Sequence, residues 1–183
     1  MCIRDSISRV QIIEINRPTR EEALNWLSSI NHEQDWEQII DIFGSRPTLL
    51  NDLGYEYLYS QIQQVAKDLE NLLTKKIKPS ELASSWKSED LETNLRILYF
   101  WFSKFLYHNL LQEGESNLLP DSLNKLLKLD LNAEESFTFL KEVASIRKYK
   151  IEGRTLNWSL QITNLVSPMY SNLKGLQNNE SRT

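Results

Sequence analysis

The stretch Leu91–Leu111, LETNLRILYFWFSKFLYHNLL, decides the fold class. Its apolar residues Leu91, Leu95, Leu98, Phe102 and Phe105 recur at a three-four spacing, which marks one face of a helix. Ile97, Tyr99, Phe100, Trp101 and Leu106 spread apolar character around much of the cylinder, so several neighbours must cover it. The unbroken run from Ile97 to Phe102 lies between Arg96 and Ser103, far short of the roughly 20 residues a membrane span needs. The spacing therefore predicts the buried helix of an all-α domain. Cutting one of its core aromatics to Ala is expected to cost roughly 3 to 5 kcal/mol. Leu98 and Phe102 are expected inward, and Trp101 is a candidate either for the core or for a subunit contact.

A chain of 183 residues holds one domain or two small ones and can bury a real core. With 40% hydrophobic and 25% charged residues its composition is ordinary for a globular protein, and five Gly and five Pro leave little turn chemistry for many short strands. The net charge of -4 argues against a free-standing nucleic-acid binder, which carries a basic excess. Cys2 is the only cysteine, so no intramolecular disulfide is expected, and without a signal-peptide pattern the expected setting is cytoplasmic. The opening Met1-Cys-Ile-Arg-Asp-Ser6 resembles one reading frame of a sequencing adapter joined to a truncated gene. On that expectation the native sequence starts near Ile7, inside a longer chain, and Cys2 is foreign to it. Codons unlike the adapter in the clone contradict this.

Working outward, residues 10–15, VQIIEI, read as a short strand, a remnant of a sheet that the helical remainder cannot pair. Thr19 and Glu22 form a capping box before a helix to Ile30 with Ala23, Leu24, Trp26, Leu27 and Ile30 apolar. A shorter helix from Gln34 or Asp35 carries Trp36, Ile39, Ile40 and Phe43 and stops at Gly44; another opens at Ser45 and Pro47 with Leu49, Leu50 and Leu53. Gly54 marks the seam. Residues 55–74 then read as a long amphipathic helix burying Leu58, Ile62, Val65, Leu69, Leu72 and Leu73. A one-to-two-turn helix follows from Pro79, and Ser88 is expected to cap the central helix. After a loop over 113–120 come a short helix over 121–129, a helix over 132–150 burying Phe137, Leu140, Val143, Ala144 and Ile151, and a helix over 156–173 with Leu160, Leu165, Val166, Met169 and Leu173 inward, kinked by Pro168. Residues 175–183 are expected to be disordered.

No catalytic constellation emerges. His32 and His108, the only histidines, lie on separate units with no second ligand at zinc spacing. Glu21 with Glu22 and Glu134 with Glu135 fall in first helical turns, where the helix dipole favours carboxylates without any acid-base role. Lys75, Lys76 and Lys78 could form an anion site, but cations at a helix C-terminus explain them, as they do Arg147, Lys148 and Lys150. No phosphate-binding glycine loop is present, and core packing accounts better than base stacking for five tryptophans spread over separate helices. The residues by themselves describe a helical interaction module.

Ser8-Arg9-Val10-Gln11, then Asn16-Arg17-Pro18 and Glu21-Glu-Ala-Leu-Asn-Trp-Leu27, resemble the junction between the ATPase core and the lid of the delta prime family of bacterial DNA polymerase III clamp-loader subunits. That family has Ser-Arg-Cys; here Val10 replaces the cysteine. The resemblance implies that Arg9 is an arginine finger acting in trans on ATP held by a neighbouring subunit; the alternative is a surface arginine. Gly44-Ser45-Arg46-Pro47 resembles the start of the family's third lid helix. Pro47 stands where ATP-hydrolysing relatives carry a sensing arginine, and Arg46, one residue away, points about 100 degrees aside on a helix. This departure fits the non-hydrolysing subunit. Leu91 to Leu106, and Leu156-Asn157 with Leu160 and Leu165, resemble the helical collar that packs such subunits into a ring.

The resemblance implies an all-α chain in four parts: an adapter-like start and remnant of the AAA+ core with its strand over 1–15, a three-helix lid over 16–54, a collar over 55–174 and a tail over 175–183. It also implies a part in assembling the loader that places the sliding clamp on primed DNA during replication. Expected partners are other clamp-loader subunits through the collar, with clamp and DNA engaged only within the complex and no membrane involved. No cofactor, metal site or catalytic activity is expected of this portion, although the parent assembly is a DNA-directed DNA polymerase holoenzyme. An ATP-hydrolysing AAA+ subunit and an independent helical adaptor are the other classes.

Overall fold

The computed structural model describes residues 16–111 and 133–180, with side-chain surroundings given through Ser171 apart from residues 108, 109, 111 and 133. Every regular element among them is a helix: α1 (Arg20–Ile30), α2 (Glu37–Phe43), α3 (Pro47–Leu53), α4 (Tyr55–Leu73), α5 (Pro79–Ser85), α6 (Leu91–Leu111), α7 (Ala133–Ile151) and α8 (Trp158–Glu180). The protein is all-α. The expected strand over 10–15, Arg9, and the expected helix over 121–129 lie outside the described residues. The chain divides into two compact units between Tyr55 and Glu56.

In the first unit, α1 starts at the anticipated box: the Glu22 amide donates to Thr19 Oγ1 at 3.2 Å, and the Thr19 amide donates to Glu22 Oε2 at 2.8 Å. These bonds satisfy two of the backbone donors that a helix start leaves open, and the Thr19 amide, aided by the Thr19 hydroxyl, holds the Glu22 carboxyl below its usual range. Ala23 and Leu27 are fully buried, whereas Trp26 and Ile30, expected inward, are 41% and 53% exposed. The α2 helix begins at Glu37 rather than at residue 34 or 35, because the Asp35 carboxyl accepts the Glu37 amide and caps the preceding turn. Trp36, Ile39, Ile40 and Phe43 are all buried, and Trp36 meets Tyr55 edge-on at 5.2 Å between ring centres. Gly44, at φ 75°, ends the helix in a backbone region that disfavours other residues. In α3 only Leu50 is buried; Leu49 and Leu53 are about two-fifths exposed.

In the second unit, α4 buries the expected face from Leu58 to Leu73, together with Ala66 and Asp68. It ends with the amides of Lys75 and Lys76 donating to the carbonyls of Leu72 and Asn71, which puts Lys75 at φ 58°. The central helix α6 is the most thoroughly covered: Leu91, Leu95, Ile97, Leu98, Trp101, Phe102 and Phe105 are all within 1% of full burial. Trp101 therefore belongs to the core. Ser88 is not its cap; the Ser88 hydroxyl instead accepts Lys150 Nζ at 2.9 Å, and the Asp90 carbonyl accepts the first helical amide, from Asn94.

Helices α6 and α7 run antiparallel, as Glu92 paired with Arg147 at 2.8 Å and Phe102 stacked on Phe139 at 4.2 Å require. The α7 core face consists of Ser136, Phe139, Leu140, Val143 and Ile146. Three residues expected inward face solvent instead: Phe137 is 65% exposed, Ile151 is 66% exposed, and Ala144 lies between them. The chain reverses at Gly153, φ 70°, and α8 opens with Asn157 Oδ1 accepting the Leu160 amide at 3.0 Å. Among its described side chains Ile162, Leu165, Val166 and Met169 are buried; Leu160, expected inward, is 52% exposed, and Leu173 lies outside the described side chains. Helix α8 contains Pro168 and continues through residues 175–180, where disorder was expected. Gly175 weakens a helix by about 1 kcal/mol without forbidding it, and the flanking Leu, Gln and Glu are adequate helix formers.

Candidate functional site

The side chains with chemical potential are dispersed. His32 is exposed, and the His108 side chain and Arg9 lie outside the described surroundings. Among the described residues no group of three or more His, Cys, Asp and Glu is placed to hold a metal ion. Glu22 serves the cap of α1 and Glu134 stands exposed in the first turn of α7. Arg46 is exposed at the position just before Pro47, where its carbonyl accepts the Leu50 amide. At that position it precedes the helix rather than standing on a helical face.

Three basic residues near helix C-termini, among them Lys75 of the candidate anion site, have intramolecular roles. Arg147 donates to Glu92 through Nε and Nη2, both at 2.8 Å, joining α7 to α6. Lys150 bonds Ser88 and lies over the Trp158 ring at 5.4 Å, joining the end of α7 to α8. Lys75 occupies the left-handed position that ends α4.

Two polar contacts inside the second unit were not foreseen. Asp68, only 6% exposed, accepts Trp86 Nε1 at 3.0 Å on one oxygen and the Gln64 side-chain amide at 2.9 Å on the other. The contact fixes the end of α5 against α4 and satisfies a carboxyl group that burial would otherwise make costly. Tyr57 donates its hydroxyl to Asp90 at 2.7 Å, joining the start of α4 to the start of α6. Burial is the main reason that the Tyr57 phenol is pushed up from its usual range, with the bond to Asp90 adding to the shift. The sequence carried a partial signal for Asp68, a polar residue three positions from Val65 and four from Leu72 on an apolar face.

What remains open for function is surface. On the α6–α7 pair, Tyr99, Ala144, Arg147, Lys148, Ile151 and Glu152 line an open groove of about 490 Å³. A second groove of about 500 Å³ between α7 and α8 mixes polar residues such as Lys141, Glu142, Gln161 and Asn164 with apolar Ile146, Leu165 and Pro168. The first mixes the apolar side chains of Tyr99, Ala144 and Ile151 with the charged Arg147, Lys148 and Glu152. No described helix is long and apolar enough to cross a membrane.

The architecture defines a class no narrower than a two-unit, all-helical protein with an apolar surface stripe. Comparison with known proteins does not narrow it: no family model, curated protein or solved structure matches the chain.

Proposed function

We propose that the chain carries the lid and collar of a clamp-loader subunit similar to delta prime and supplies assembly contacts for the DNA polymerase III clamp loader. The supporting observation is organisational. A unit of three short helices is followed, at a single seam after Tyr55, by a larger helical unit whose spine is α6, the order that the lid and collar resemblance implies. Arg46 on the exposed approach to Pro47 favours the non-hydrolysing subunit, since it is not on a helical face where the relatives' sensing arginine stands. On this proposal Arg9 is the finger presented to a neighbour's ATP, the setting is cytoplasmic, and clamp and primed DNA are engaged only within the complex.

Co-expression with the clamp-loader subunits of the same source, followed by purification through a tag on this chain, tests the proposal. Recovery of the other subunits in fixed proportion is the expected result. Their absence favours an independent helical adaptor. ATP turnover by the purified chain above that of an Arg9→Ala control contradicts the non-hydrolysing assignment.

A further inference from the structure

We draw no further inference here: the strongest candidate, the groove of about 500 Å³ between α7 and α8, sets Lys141 beside Glu142 and so has no net charge sign, and nothing in the structure shows what covers it.

Discussion

Replacing Trp86 with Phe removes one N–H from a buried carboxyl group and leaves most of the ring in place. Asp68 is 6% exposed and Trp86 8% exposed, and their bond is 3.0 Å long. Water cannot readily take the lost donor's place, so one Asp68 oxygen is left unpaired, at a cost of about 1–3 kcal/mol. The smaller ring adds a packing loss, which a double-mutant cycle removes. In an Asp68→Ala background, Trp86→Phe reports packing only, and the difference between backgrounds should be about 1–3 kcal/mol. Because the chain has two units, global unfolding need not be two-state. Amide hydrogen exchange read on peptides from α4 and α5 reports the local free energy directly. A coupling below about 0.5 kcal/mol would show that the contact does not hold the two helices together.

Other consequences can be tested separately. Trp101→Ala should destabilise the second unit by roughly 3–5 kcal/mol, seen as a lowered urea midpoint, whereas a folded variant impaired only in assembly would contradict its place in the core. Lys75 and Gly153 hold the same kind of left-handed turn after α4 and α7, so Lys75→Gly should stabilise by about 0.5–1 kcal/mol. Gly153→Ala should destabilise by about 1 kcal/mol through the backbone alone, since a Cβ there would touch nothing within 4 Å; opposite signs in urea titration check both. Tyr57 keeps its proton more tightly folded than unfolded, so its contribution is full below the ordinary tyrosine pKa near 10 and is lost as pH rises through the higher folded value. Tyr57→Phe should flatten that alkaline decline, and an unchanged slope above about pH 10 would count against the assignment.

Helix existence was legible because long runs of three-four spacing leave few alternatives. The six large apolar residues buried by α4 and the core of α6 follow from spacing, and so does the capping box of α1, whose partners lie three residues apart. The candidate surface was not legible for the same reason. Helix α7 carries two overlapping apolar stripes, Phe137–Ala144–Ile151 and Phe139–Leu140–Val143–Ile146, and either is a valid helical face. Contact with α6 decides between them, through Phe102 on Phe139 and Glu92 on Arg147. Likewise the bonds of Asp68 to Trp86, 18 residues away, and of Tyr57 to Asp90, 33 residues away, depend on which helices meet.

The amino-acid sequence by itself thus determined the all-α class, the seam near residue 54 and α6 as the spine, because local periodicity and turn chemistry act within a few residues. Tertiary structure alone decided which side of α7 is core and which is exposed, because burial depends on the neighbour a helix meets.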